Sequence, residues 1–122
     1  MKHVVIWVAD WQMQCCGNPF CLNEIVNWTV VNWTNDNSTI LDNFNIDYYL
    51  ENHLDELEKY EEIRGEIVSI DKTYLTYQID EKRNVYVPID ILFEGTSNKV
   101  TGYEKNKKNY DFAGYLVKLQ VE

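Results

Sequence analysis

Apolar residues fill positions 4 to 9 almost without a break, and His3 to Trp11 as a whole is rich enough in β-branched and aromatic residues to be a strand covered on both faces, central in its sheet. Glu24 to Trp33 alternates instead, with Val26, Trp28 and Val30 on one face and Asn27 and Thr29 on the other. Trp33 falls out of that phase, so a bulge is expected at Val30-Val31, bending the strand as small barrels require. Asn35 to Ser38 has the composition of a turn. Residues 46 to 62 fit two periods: Ile46, Leu50, Leu54 and Leu57 make a helical stripe with His53 beside it, whereas Ile46, Tyr48 and Leu50 alternate like a strand. Length favours helix, with acids toward its start, Lys59 and Arg64 near its end and Gly65 as the stop.

Beyond Gly65 the pattern is β throughout. Glu66 to Ile70, Thr73 to Ile79 and Asn84 to Ile91 read as a meander, joined by an Asp71-Lys72 turn and by the charged loop Asp80 to Arg83. Leu75, Tyr77 and Ile79 mark the inner face of the second of these strands, and Val85, Val87, Ile89 and Ile91 that of the third. Pro88 removes a ladder donor, so its strand, or the far end of it, is expected at an edge or only partly paired. A polar connection, Gly95 to Tyr110, leads to the closing strand Tyr115 to Val121, with Tyr115, Val117, Leu119 and Val121 inward. The expectation is one domain over residues 1–122, α+β but mostly β: a small curled barrel of the SH3-like or OB-like kind, about six strands with one inserted helix.

Composition then narrows the class. A chain of 122 residues that is 45% hydrophobic can bury a core without staples, and a net charge of -9 repels phosphate backbones and anionic lipid. Neither nucleic acid nor a membrane is an expected partner; a cationic protein would be steered toward such a surface. Half of the 20 acids lie between Asp42 and Asp71. The apolar run at the amino terminus is too short for a signal region or a membrane span, and three cysteines leave no closed set of pairs. Both features suit the cytoplasm. The sequons at Asn27, Asn32 and Asn37 are then accidents of composition.

All three cysteines crowd into one run, Asp10-Trp11-Gln12-Met13-Gln14-Cys15-Cys16-Gly17-Asn18-Pro19-Phe20-Cys21, read as a tight loop between the first two strands. Adjacent Cys15 and Cys16 do not offer the two-to-four-residue ligand spacing of a structural zinc site, and only His3 or His53 could complete one, so no metal and no other cofactor is expected. A catalytic thiol would need one of the same two histidines as its base. No phosphate loop, nucleophile elbow, zinc-protease helix or dinucleotide fingerprint is present. Four tryptophans lie in or beside the first two strands; indoles there are ordinary core, but Trp11 and Trp33 are candidates to line a groove. The candidate binding residues are therefore Trp11, Gln12, Gln14, Cys15, Cys16, Phe20 and Trp33, with no catalytic residue assigned.

The opening run through Gly17 with Pro19-Phe20, then Val26 and Trp28, Gly65-Glu66-Ile67-Val68 with Ile70, and Gly114-Tyr115-Leu116-Val117 with Leu119, resembles a small bacterial family of unknown function. This chain has Asn23-Glu24 where that family tends to have Gly-Asp, and Cys21 where it has another residue. The resemblance implies a shared fold and supplies no reaction. Two functions of different class follow from the residues. One is a non-catalytic binding domain for a protein partner, with a basic partner favoured by charge; the other is a small thiol- or metal-dependent site, enzymatic or sensory, at Cys15, Cys16 and Cys21. Oligomeric state is left open.

Overall fold

A computed structural model describes residues 2–15, 17–34, 39–51 and 59–121. Six strands form one sheet: β1 (Lys2–Ala9), β2 (Ile25–Asn32), β3 (Tyr48–Leu50), β4 (Glu61–Asp80), β5 (Val85–Gly95) and β6 (Asp111–Val121). Their order is β2-β3-β1-β6-β4-β5, and β2 also pairs with β4. Five strands thus close a ring of hydrogen-bonded pairings, and β5 hangs from β4 outside it. As expected, β1 is central, between β3 (parallel) and β6 (antiparallel), and β5, which carries Pro88, is an edge.

The long strand β4 makes the ring possible. It pairs with β2 from Glu61 to Glu66, with β6 from Glu66 to Leu75 and with β5 from Asp71 to Asp80. Extra residues, Val68 on β4 and Ala113 on β6, break the β4–β6 register and let the strand bend. The expected Asp71-Lys72 turn does not exist; both residues lie within this strand. Their polarity misled because it is satisfied by tertiary partners: the Lys72 ammonium lies 3.2 Å from Glu104 and 3.7 Å from Glu94. Lys107, in the polar connection, is likewise held by Glu94 at 2.6 Å and sits over the Tyr74 ring.

Three other expectations are corrected. The single inserted helix over 46–62 is replaced at both ends by strand, since Tyr48–Leu50 is β3 and β4 starts at Glu61; residues 52–58, with His53, lie outside the described residues, as does the 35–38 turn. The only helices described are a 3-10 turn at Ile40–Phe44, capped by Thr39 and Asp42, and a six-residue α-helix, α1 (Asp10–Cys15), where a loop was expected. The bulge at Val30-Val31 is absent; β2 instead changes partner at Val30, from Glu61 of β4 to Leu50 of β3. Trp33 leaves the strand phase because its backbone N–H donates to the Asp47 carbonyl and its indole Nε1 to Asp42 Oδ1 at 2.8 Å.

Two apolar clusters flank the sheet. The larger fills the inside of the ring with Ile6, Val8, Val30, Ile67, Tyr115, Val117 and Leu119, all buried. Phe20 stacks edge-on against both Trp28 and Tyr115 there. The smaller joins Trp7, Leu41 and Ile46 beneath the 3-10 turn, with Trp33, Phe44, Ile91 and Leu116 against it. The inner-face assignment holds for Leu75 and for Tyr115, Val117 and Leu119. It fails for Tyr77, Ile79, Val85 and Ile89, which are exposed because the β4–β5 hairpin runs on past the body of the domain.

At Gly65, β4 passes from β2 toward β6 so closely that a Cβ there would meet the Gln120 carbonyl oxygen at 2.7 Å. Gly65→Ala is expected to lose roughly 1–3 kcal/mol of stability through overpacking. Gly95→Ala, whose Cβ would meet only Asp71 Oδ1 at 3.5 Å, should stay within about 0.5 kcal/mol. Urea unfolding of the two variants makes the comparison; equal midpoints would show that the crossing tolerates a side chain.

Candidate functional site

The amino-terminal motif sends Gln12, Met13 and Phe20 inward and leaves Trp11, Gln14 and Cys15 exposed. α1 begins where β1 ends, and Met13 drops into the ring core. Gln12, only 1% exposed, donates from Nε2 to Glu51 Oε1 at 2.9 Å, so the helix is tied to the residue that follows β3. Glu51 itself is buried, and its backbone N–H donates to the Thr29 carbonyl. Gln14 reaches the opposite way, donating from Nε2 to the Gly102 carbonyl at 2.8 Å. A Cβ at Gly102 would come within 2.4 Å of Met13 Cβ, so a glycine at positive φ lets the 96–110 connection lie against the helix. The Gly17 N–H then closes α1 by donating to the Gln12 carbonyl.

The candidate residues therefore separate. Gln12, Gln14 and Phe20 are engaged within the protein, and Phe20 also bridges to Val100. Trp11 is 54% exposed and Cys15 is exposed. Cys16 lies outside the described residues. Trp33 belongs to the smaller cluster beneath the 3-10 turn and is not brought to α1. Cys21 is a half-buried free thiol whose Sγ is 3.7 Å from Glu24 Oε1. Among the described residues, no three His, Cys, Asp or Glu side chains gather as a metal site would require. A space of about 150 Å³ remains beside the helix, lined by Met13, Phe20, Asn27, Trp28 and Leu50 among others, room for a few waters.

A larger concavity, about 540 Å³, opens elsewhere and was not anticipated. Its walls are Leu75, Thr76 and Tyr77 of β4, Tyr86 of β5, and Asn109 and Asp111 at the start of β6. Directly opposed residues of an antiparallel pair share a face, so Tyr77 with Pro88 and Ile79 with Tyr86 form one apolar and aromatic face of the hairpin. Ile89 is the extra residue of a bulge in the outer strand. Burial holds the Tyr77 hydroxyl above the ordinary tyrosine pKa, helped by the negative charges of Asp10 and Asp111. Burial likewise raises the Asp10 carboxyl. The first residue of the motif thus meets the hairpin electrostatically. A signal was present in the sequence: two alternating strands, one with an edge proline, offered an apolar face with no further strand or helix to cover it.

Together these features define a mostly β domain whose sheet closes a ring of pairings, with one helix packed into its core and one hairpin projecting. The chain belongs to a family of unknown function, DUF6578, whose model matches residues 2–121, as the expectation of a family without an assigned activity required. No curated protein and no solved structure gave a significant match. Among the described residues, no helix is long and apolar enough to cross a membrane.

The polar link between core and connection has a measurable consequence. Tyr115 is fully buried; its hydroxyl accepts from the Gly102 N–H and donates to Glu104 Oε2 at 2.9 Å. Burial first, and then the bond to Glu104, push its pKa well above the ordinary value near 10. A group whose folded pKa is raised gives stability that is complete below the unfolded pKa and is lost as pH rises toward the folded one. Stability should therefore fall above about pH 10. Tyr115→Phe should cost roughly 1 kcal/mol at neutral pH and flatten that alkaline arm, measured by urea unfolding across pH 8 to 11. An unchanged alkaline slope would exclude Tyr115 as its source.

Proposed function

We propose that this domain is a non-catalytic binding module that recognises a protein partner through the apolar face of the β4–β5 hairpin. The observation that carries the reading is the exposure of Tyr77, Ile79 and Tyr86, which share one face of the projecting hairpin with Pro88. Single exposed apolar residues are ordinary on any protein, but a contiguous set costs solubility unless a partner covers it. Tyrosine suits this role, joining a large apolar ring to a hydroxyl that keeps the free surface wet. The net charge of -9 favours a basic partner.

Other features fit this reading. A closed ring of pairings with one appended hairpin suits a small curled barrel of the SH3-like or OB-like kind, a scaffold that holds such a face rigid. The motif residues Gln12, Gln14 and Phe20 then serve as scaffold. The free thiol of Cys21 suits a reducing compartment, the cytoplasm.

The test is capture of partners from a native lysate at low and high salt, comparing the wild-type domain with an Ile79→Ser/Tyr86→Ser double variant. Both residues are exposed, so the variant should unfold within about 1 kcal/mol of wild type. A defined protein captured by wild type should be lost with the variant. Undiminished capture, or enzymatic turnover by the isolated domain that tracks a single side chain, would overturn the proposal.

A further inference from the structure

Resting on that reading, we infer that the concavity at the base of the hairpin receives the side chain of an arginine from a basic segment of the protein partner. Its lining is partly apolar: Leu75 is buried, and Tyr77 and Tyr86 line the same space. Asp111 stands directly opposite Leu75 in the β4–β6 register and so rims the same space. The pocket therefore combines two tyrosines with one carboxylate, that of Asp111.

The Asp111 carboxylate leaves the pocket open to a cation. Asp80 is paired with Arg83, and Glu94 with Lys72 and Lys107. Asp111, by contrast, has no cationic partner among the described residues. A guanidinium is the group that meets both demands at once, because its plane stacks on a tyrosine ring while its edge donates to a carboxylate. Its alkyl stem would lie along Leu75 and the adjoining apolar face.

Geometry also says how the partner does not dock. β5 is the open edge of the sheet, but Pro88 lacks a donor and Ile89 is bulged, so the edge is blunted against continued strand pairing. A second copy of this chain is disfavoured by a charge of -9 on each protomer. What remains is recognition by the side-chain face. The hydroxyl of Thr76 donates to the Asn109 carbonyl, and Tyr110 donates to Asp90 Oδ2 at 2.6 Å, so the wall beside Asp111 is anchored before any ligand arrives.

The probe is N-acetyl-arginine amide, titrated into the whole domain at low salt and followed by amide chemical shifts. N-acetyl-leucine amide and N-acetyl-glutamate amide are the controls. Shifts that saturate at millimolar concentration and centre on Thr76, Tyr77, Tyr86, Asn109 and Asp111 are expected, at least several-fold weaker with either control. Asp111→Asn should weaken arginine binding by a similar factor while its thermal midpoint stays near wild type; Tyr86→Ala gives a second, exposed site to vary. Equal binding of the leucine and arginine amides, or no localised shift with arginine, would overturn the inference. Dilution-dependent shifts of the same residues in the free protein would also overturn it, assigning the pocket to a second copy. Each failure stands apart from failure of the binding reading: loss of partner capture with the Ile79→Ser/Tyr86→Ser variant would still show that the hairpin binds a protein, by its apolar face alone.

Discussion

The ring exists because one strand can serve three neighbours. β4 leaves β2 at Glu66, takes up β6 at the same residue, and takes up β5 at Asp71. A residue with a side chain at Gly65 would strike the Gln120 carbonyl and Val121, so the handover depends on a glycine. Glycine in a strand weakens it intrinsically. Here the pairing gained on both sides offsets that cost, and the bulge at Val68 turns the strand so that Ile67 and Ile70 both still face the core.

Closing the ring also determines which apolar residues find cover. Inside it, Phe20, Tyr115 and Val117 lose essentially all contact with water. Outside it, the 3-10 turn and Trp33 cover β1 and reach Phe93 of β5 through Phe44. Past Ile91 that cover ends, and the hairpin continues to Asp80 and Val85 with its apolar face in solvent. The surface proposed for binding is thus what remains of a strand pair after the domain has used the part it needs.

The motif illustrates the reverse case. Its unusual residues were candidates for chemistry, yet Gln12 and Gln14 are joined to Glu51 and Gly102, residues 39 and 88 positions away in the chain. Tertiary hydrogen bonds of this kind, the one from Gln12 buried, make a helix of only six residues stable, since so short a helix has little hydrogen bonding of its own. Rarity in sequence here reflects the demand for specific partners in packing.

Local pattern was enough for β1, β2, the edge position of the Pro88 strand and the inward face of β6, because in each of these the side-chain period and the burial come from the same face of one strand. It failed wherever a residue's role depends on something distant. Asp71-Lys72 looked like a turn because its ion pairs come from Glu94 and Glu104; residues 46 to 50 looked helical because the partner that makes them a strand, β1, is some forty positions away in sequence. Tyr77, Ile79, Val85 and Ile89 looked like core because alternation records which residues could be buried. Whether they are depends on what packs above them, and only the tertiary structure decides that: apolarity is a property of the side chain, while burial is a property of its neighbours.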